Sequence, residues 1–501
     1  MKNSPNILLI TADQWRHSAL STLGHPVVKT PNLDALAADG TLFTSHFTQC
    51  MPCGPARASL LTGMYLMNHR SIRNGSPLDA RFTNVALETR KIGYDPSLIG
   101  YTDTTLDPRL MSAQDPAGSR YCNVLPGFTQ VYPDGKKPWW RDLAKKGYAV
   151  PDNEEDIYEP VNNYPRAKIR GKTFAPPIYR KEDSDTAFEV NRAMDVIRDA
   201  DVKPWFLHLS LLRPHPPFIA PEPYNSMYHP DDIEDFVHAE SISAEAAEHP
   251  YTAFLLRHHF SLESNNPASH QPEESEMRQL RATYYGLMSE VDHQLGRLIA
   301  QMKADGSYEN TLIIFTSDHG EQLWDHWMLG KESCFDQSAR IPLIIRKPGA
   351  STDSQRGLVY DRFTENVDLM PTILDLLGHE IPLQCDGHSL RPFLEGKVPE
   401  NWRQQVHWEM DFRNIGTQLP QQEMGIAADQ CYYSVIRDRQ YKYVHFAALP
   451  PLLYDIASDP GEKNNLANDA AYAGVIAEYA QKMLSWRMTH AERTLTRYTS
   501  V

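Results

Sequence analysis

Short runs of consecutive apolar residues predict three buried strands in this chain. They cover residues 7–10, 311–316 and 341–345, and the first two are followed closely by polar residues. An unbroken apolar run of this length is typical of a parallel strand that is covered on both faces. The residues that follow such strands lie at the sheet edge where open α/β sheets bind ligands.

Helical patterns alternate with these strands. Residues 30–40 carry an early proline and a closing glycine, and residues 276–302 and 367–377 give two further predicted helices. Cys53 is expected at or just before another helix, because Arg57 and the residues after it have helical composition. The alternation predicts an α/β sandwich, in which a large and mainly parallel sheet is flanked by helices.

Two segments lack any periodicity and are rich in Pro, His, Tyr and acidic residues. They are residues 108–185 and 219–275. Segments of this length without their own pattern are usually functional, so we interpret them as insertions that build the rim of a site.

The pattern changes after about residue 400. Residues 431–446 alternate around a central polar turn, which predicts an antiparallel hairpin, and residues 470–487 form an amphipathic helix. The sequence therefore predicts a catalytic α/β domain over residues 1–400 and a small C-terminal α+β unit over residues 401–501.

Charge and composition limit the classes of partner. The net charge of −15 argues against nucleic acid and anionic membranes, but it does not forbid a small anionic substrate. Six cysteines in 501 residues do not suggest a disulfide framework. The apolar run at residues 7–10 is too short for a signal-peptide core, so we expect a cytoplasmic protein.

Residues 53–63 are the most informative stretch of the chain. They read C-x-P-x-R followed by L-T-G, and they resemble the signature of type I sulfatases. That resemblance implies that Cys53 is oxidised by a formylglycine-generating enzyme to formylglycine, an aldehyde whose hydrate is the nucleophile. Cys50 and Cys53 also form a C-x-x-C, which leaves open a zinc or redox site, although no second C-x-x-C accompanies it.

The polar pairs that follow two of the predicted strands are candidate metal ligands. Asp13-Gln14 and Asp318-His319 are expected at the same sheet edge, with Cys53 between them in the sequence. An aspartate in this position is otherwise often a helix cap. Sulfatases usually have Asp-Asp and Asp-Asn here, so the imidazole favours manganese over calcium as the one divalent metal.

Further motifs resemble the phosphonate monoester hydrolase branch of the alkaline phosphatase superfamily, over nearly the whole chain. They lie at residues 13–16, 65–70, 98–101, 213–218, 316–323, 443–452 and 493–496. The resemblance implies an alkaline-phosphatase-like sandwich that hydrolyses phosphonate monoesters, phosphodiesters and often sulfate esters. It also implies that Cys53 is nucleophile and metal ligand, that Arg57 holds the nucleophile's oxygen, and that His215 and Lys331 bind the substrate anion. His215 is the candidate for protonating the leaving alkoxide.

Three more residues are implied to line the substrate site. Asn74 and Tyr101 would be neutral donors to the anion, and Asp103 replaces a threonine of the related hydrolases. The added negative charge would repel a dianion, and the carboxylate could take a proton from the diol, as a histidine does in arylsulfatases, so Asp103 favours an arylsulfatase as the main activity. The alternative for Asp103 itself is that it turns away and caps a local turn. The alternatives are a phosphonate monoester hydrolase and phosphodiesterase, or a non-catalytic binding protein with the same fold.

The C-terminal residues predict self-association. Residues 486–498 mix aromatic residues with arginines, as interfaces do, and we expect a homodimer or a larger homo-oligomer.

Overall fold

One large sheet lies at the centre of the computed structural model, which describes residues 4–112, 115, 124–132, 135–200, 204–262, 273–349, 355–496 and 499. In chain order its strands are β1 (Asn6–Ala12), β2 (Thr41–Phe47), β3 (Pro96–Ile99), β4 (Thr129–Gln130), β5 (Phe206–Leu211), β6 (Thr311–Thr316), β7 (Arg340–Arg346), β8 (Leu358–Tyr360) and β9 (Thr364–Glu365). Their spatial order is β4-β3-β5-β1-β6-β7-β2-β8, with β9 paired to β2. Strand β7 is antiparallel to β6 and β2, and the other pairs are parallel, so the mainly parallel sheet is confirmed.

Helices cover both faces of this sheet. The helices of the described residues are, in chain order, α1 (Pro31–Ala38), α2 (Cys53–Thr62), α3 (Leu66–His69), α4 (Val85–Lys91), α5 (Lys137–Lys145), α6 (Ala167–Arg170), α7 (Asp185–Asp199), α8 (Ile242–Ala247), α9 (Pro250–Leu262), α10 (Glu274–Ala304), α11 (Asp336–Ala339), α12 (Leu369–Leu376), α13 (Arg391–Leu394), α14 (Leu419–Met424) and α15 (Ala473–Thr489).

Strand β1 shows why its sequence is apolar throughout. Leu8 and Ile10 belong to a core cluster with residues of α7 and α10, whereas Ile7 and Leu9 belong to a second cluster with residues of α2 and α12. Alternate side chains of a strand point to opposite faces, so a strand between two helical layers must be apolar at every position. The predicted α/β sandwich is therefore confirmed.

The sequence missed strands β2 and β5 because both contain buried polar residues. In β5, His208 Nε2 lies 3.1 Å from Thr11 Oγ1, and Ser210 Oγ accepts a hydrogen bond of 2.6 Å from Arg57. In β2, His46 Nδ1 lies 2.9 Å from Thr364 Oγ1. Each of these polar groups has a hydrogen-bond partner that is distant in sequence, although the second ring nitrogen of both histidines has none among the described residues.

The two predicted insertions contain more regular structure than their composition indicates. Helices α5 and α6 lie in residues 108–185, and helices α8 and α9 lie in residues 219–275. The interpretation of these segments as aperiodic is therefore wrong for their described parts. Residues 113–114, 116–123, 133–134 and 263–272 of the insertions lie outside the described chain.

A second sheet follows near the C-terminus. Its antiparallel strands are β10 (Val406–Asp411), β11 (Tyr432–Arg437), β12 (Tyr441–Phe446) and β13 (Leu452–Asp455). The predicted hairpin is thus β11–β12, and α15 packs on it through Tyr479 and Met483. The small sheet contacts the large one where Trp408 stacks on Phe47, with ring centroids 5.8 Å apart. The domain boundary at residue 400 stays a prediction.

Candidate active site

Four buried side chains meet at the carboxyl edge of the large sheet. Asp13 follows β1, Asp318 and His319 follow β6, and Cys53 opens helix α2. One potential ligand atom from each lies within 4.8 Å of the other three. Cys53 Sγ is 3.1 Å from His319 Nε2, which itself lies 3.7 Å from Asp13 Oδ1 and 3.8 Å from Asp318 Oδ2. The structure thus brings together four of the five residues that the sequence suggested as metal ligands.

The donor set of this cluster fits a divalent cation. His319 Nδ1 lies 3.0 Å from the carbonyl oxygen of Gly320, which can only accept, so Nδ1 carries the hydrogen. Its Nε2 faces Cys53 and the two carboxylates, which is the position of the ligating nitrogen in a metal-binding histidine. Two carboxylates and one imidazole are donors that a divalent cation accepts.

Cys50 does not share this site. Its sulfur lies 3.3 Å from Ser59 Oγ, and the cluster found among the described residues contains Cys53 without Cys50. The C-x-x-C therefore forms no joint zinc site in this structure.

Arg57 sits one helical turn after Cys53 and joins both aspartates. Its Nε donates to Asp318 at 3.0 Å, one terminal nitrogen donates to Asp13 at 3.0 Å, and the other donates to Ser210 Oγ and to the carbonyl oxygen of Tyr101. Burial alone would favour a neutral guanidinium, but the charges of the aspartates hold the pKa of Arg57 well above its usual range.

The aspartate at residue 13 stays ionised although it is fully buried. Burial raises the pKa of a carboxyl group, but here His215, Arg57, His319 and Lys331 outweigh burial and hold the pKa of Asp13 well below its usual range. The site therefore combines anionic ligands with surrounding cationic groups, which suits both a metal ion and an anionic substrate.

An unmodified thiol at residue 53 would be a poor nucleophile. Burial, followed by the charge of Asp13, raises the pKa of Cys53 well above its usual range, and the opposing charge of Lys331 does not compensate. Because the thiolate is the reactive form of cysteine, the thiol is held unreactive here.

His215 and Lys331 form a pair beside the cluster. Lys331 Nζ lies 3.1 Å from His215 Nε2, and His215 Nδ1 lies 2.7 Å from the carbonyl oxygen of Pro216. Lys331 is buried and His215 is half-buried, so the histidine lies closer to solvent. His215 and Lys331 both lower the pKa of Asp13, so they lie near enough to the cluster to attract an anion there.

The fifth suggested ligand, Gln14, has both ends of its amide engaged. Its Oε1 accepts a hydrogen bond of 2.7 Å from Lys331, and its Nε2 donates to Glu321. Its backbone is held in the left-handed region at φ 65° by a bond from its N–H to Asp318 and by one from Tyr284 to its carbonyl oxygen.

The three residues suggested for substrate binding lie around the start of α2. Asn74 Oδ1 accepts a 2.7 Å hydrogen bond from the backbone N–H of Gly54. A Cβ atom on Gly54 would lie 3.1 Å from the carbonyl oxygen of Asp103, so the two segments are tightly packed. Asp103 is buried, and its charge contributes to the raised pKa of Cys53. Tyr101 stacks under the Arg57 guanidinium, and its hydroxyl donates to Asp13, so in this structure the hydroxyl supports a candidate metal ligand.

Sequence reasoning gave no role to two residues of this site. Ser210 lies on the missed strand β5, so the sequence held no signal for it. Glu321 follows Asp318 by three residues within a recognised motif, and it is fully buried. A carboxylate so close in sequence to the pair Asp318-His319 was a signal that could have been followed.

The fold and the site together define an ester hydrolase of the alkaline phosphatase superfamily. The chain belongs to the sulfatase family, whose profile, described as "Sulfatase", matches residues 5–379. A profile described as "N-sulphoglucosamine sulphohydrolase, C-terminal" matches residues 324–489. The resemblance expected from the motifs is therefore confirmed.

The chain is similar both to phosphonate monoester hydrolases and to arylsulfatases. The chain is 46% identical to the multifunctional alkaline phosphatase superfamily protein PehA of Trinickia caryophylli, over 99% of this chain and 97% of the relative. A phosphonate monoester hydrolase of Agrobacterium radiobacter, known from its crystal structure, is 47% identical in sequence to this chain. The two structures superpose with a TM-score of 0.93, over 98% of this chain and 97% of that one. An arylsulfatase of Clostridium perfringens is 29% identical over 96% and 93% of the two chains. These identities favour the phosphonate alternative over arylsulfatase as the main activity.

No described helix is long and apolar enough to span a bilayer.

Proposed function

We propose that this enzyme is a phosphonate monoester hydrolase and phosphodiesterase with a secondary activity on sulfate monoesters. The observation that carries the proposal is the 47% identity over 98% of the chain to a phosphonate monoester hydrolase. The site supports it, because Lys331 and His215 flank the cluster of Asp13, Cys53 and Asp318 and offer positive charge to a singly charged tetrahedral group.

Two groups complete the site in this proposal. Asp13, Asp318 and His319 would hold a divalent cation together with residue 53 and the Gln14 oxygen, and the cation would supply positive charge that makes a neighbouring hydroxyl more acidic. Formylglycine at residue 53, as its hydrate, supplies a nucleophilic hydroxyl together with a second hydroxyl that provides a route for releasing the product anion.

The chain's own residues then divide the remaining work. Arg57 holds Asp13 and Asp318 in position through its two bonds to them, and its charge helps to keep Asp13 ionised. Lys331 binds a non-bridging oxygen of the substrate. His215 donates a proton to the leaving oxygen, and because its side chain is only half-buried it can take up a new proton from solvent after the product leaves.

The remaining expectations are part of the same proposal. The substrate is a small anionic ester, the maturation partner is a formylglycine-generating enzyme, and the protein works in the cytoplasm as a homodimer. Of the C-terminal run that suggested assembly, residues 497–498 lie outside the described chain, while Met488 and Leu495 are 73% and 74% exposed. Light scattering that finds only monomer at working concentration would remove the dimer from the proposal.

A direct comparison of substrates tests the proposed activity. The measurement is kcat/KM for 4-nitrophenyl phenylphosphonate, bis(4-nitrophenyl) phosphate and 4-nitrophenyl sulfate, on manganese-loaded protein made together with a formylglycine-generating enzyme. We expect the phosphonate to exceed the sulfate, with Cys53→Ala as the inactive control. Asp103 favours a second candidate, an arylsulfatase, and a sulfate value above the phosphonate value would establish that candidate instead.

A further inference from the structure

Glu321 lies between the loop that carries Lys331 and the amide of Gln14. Its side chain is fully buried. Oε1 accepts backbone N–H bonds from Leu323 at 3.0 Å and from Gly330 at 2.5 Å, and Oε2 accepts from Gln14 Nε2. The carboxylate therefore ties together both ends of the segment from residue 321 to residue 330, directly before Lys331.

A carboxylate in this place determines which way the Gln14 amide faces. An ionised carboxylate can only accept hydrogen bonds, whereas the two ends of an amide have nearly the same shape and opposite hydrogen-bonding character. With Glu321 on one side, Gln14 must present Nε2 to it and Oε1 to the other side. On that other side Oε1 accepts the 2.7 Å bond from Lys331.

We propose that Glu321 is a positioning residue that fixes the Gln14 amide with its oxygen inward and thereby holds Lys331 against the substrate anion. The same oxygen is the atom that Gln14 would offer to a divalent cation, so one orientation serves both purposes. The inference rests on the proposed role of Lys331 in binding the anion, but it does not depend on which ester is the best substrate.

The isosteric variant Glu321→Gln reverses this orientation. Its oxygen would keep the two bonds from the backbone, because those N–H groups can only donate. Its new NH2 group would then face Gln14, which must turn its own oxygen towards it and its NH2 group towards Lys331. Two donors would face each other there, and Lys331 would lose an acceptor in a buried site.

The exchanged double variant Gln14→Glu/Glu321→Gln restores the pattern. The carboxylate at residue 14 can accept from the new amide with one oxygen and from Lys331 with the other. The pair keeps its total charge and its shape, so a residue that acted only through packing would gain nothing from the exchange.

The test compares both variants with wild type, using the ester that wild type hydrolyses best. For Glu321→Gln we expect kcat/KM to fall about 10- to 100-fold and the inhibition constant of inorganic phosphate to rise about tenfold, as expected when one hydrogen bond to a charged group is lost. The double variant should recover at least tenfold of the lost kcat/KM. Glu88→Gln, which changes a buried glutamate on α4 bonded to Thr83 and Lys91, is the matched control and should stay near wild type.

Several outcomes would overturn the proposal. They are a Glu321→Gln enzyme within threefold of wild type, a double variant no better than the single one, or phosphate inhibition that does not change. If thermal denaturation shows that Glu321→Gln is not folded, the double variant alone decides the test. A double variant that is unfolded or inactive then counts against the proposal. If the wild-type enzyme prefers sulfate esters, the proposed function is refuted, but the comparison of the Glu321 variants with wild type remains valid.

Discussion

Replacing His215 by alanine should impair hydrolysis by an amount that depends on the leaving group. His215 Nδ1 lies 2.7 Å from a carbonyl oxygen and therefore carries hydrogen, so Nε2 is the atom that faces Lys331 and the substrate. The variant removes a contact to the substrate anion and also the donor of a proton to the leaving oxygen. Because the side chain is half-buried, its loss should change the melting temperature little.

The two losses can be separated by magnitude. A hydrogen bond to a charged group contributes about 1.5 kcal/mol or more, so every substrate should lose about tenfold in kcat/KM. General acid catalysis contributes a further factor of about 10² or more, but only where the leaving group needs a proton. We therefore expect a loss of about 10³-fold, or about 4 kcal/mol, for phenyl phenylphosphonate and of about tenfold for the 4-nitrophenyl ester.

Steady-state kinetics with a series of substituted phenyl esters gives the leaving-group dependence directly. The slope against the pKa of the phenol should be steeper for His215→Ala than for wild type. His229→Ala, at an exposed histidine, is the control and should leave the slope unchanged. Equal fold losses for phenyl and 4-nitrophenyl esters would refute the assignment of His215 as the acid.

Three further predictions follow from the site and its surroundings. Asp318→Asn should lose most bound metal, measured by elemental mass spectrometry, together with at least 100-fold of activity, and a fully loaded variant would show that the ligand set is wrong. Asp103→Thr should raise the ratio of phosphonate to sulfate kcat/KM about tenfold, or about 1.4 kcal/mol, whereas a ratio within twofold of wild type would place its charge outside the substrate site. Burial, followed by the charge of Asp185, raises the pKa of Glu290 to about 8, so the folded state keeps a proton that the unfolded state loses above about pH 4.5. The contribution of Glu290 to stability should therefore fall as pH rises from 4.5 to 8, and Glu290→Gln should melt higher than wild type at pH 8 but not at pH 4.5. Melting temperatures of wild type and Glu290→Gln that change with pH in the same way would contradict the raised pKa of Glu290.

The sequence predicted those parts of the site whose position follows from local rules. Asp13 and Asp318 were expected together because parallel strands end at one edge of a sheet, and Cys53 and Arg57 were expected on one face of a helix because they are four residues apart. The structure gives both arrangements.

The parts that escaped prediction depend on partners far apart in the chain. Ser210 lies on a strand that its polar residues concealed, and its partner Arg57 is 153 positions away. The hydrogen bond between Gln14 and Glu321 spans 307 positions, so no local pattern could show that the Gln14 oxygen accepts a hydrogen bond from Lys331. The antiparallel direction of β7 likewise depends on its pairing with β2 and β6.

The central claim is that formylglycine at residue 53, in a site whose side chains fit a divalent metal, cleaves phosphonate monoesters. The most direct test is the initial rate of 4-nitrophenyl phenylphosphonate hydrolysis per manganese-loaded chain, plotted against the fraction of chains that carry formylglycine at residue 53 by peptide mass spectrometry. Preparations of graded conversion should fall on a straight line through the origin, with Cys53→Ala at zero. Full activity in a preparation that contains only the Cys53 thiol would contradict the account.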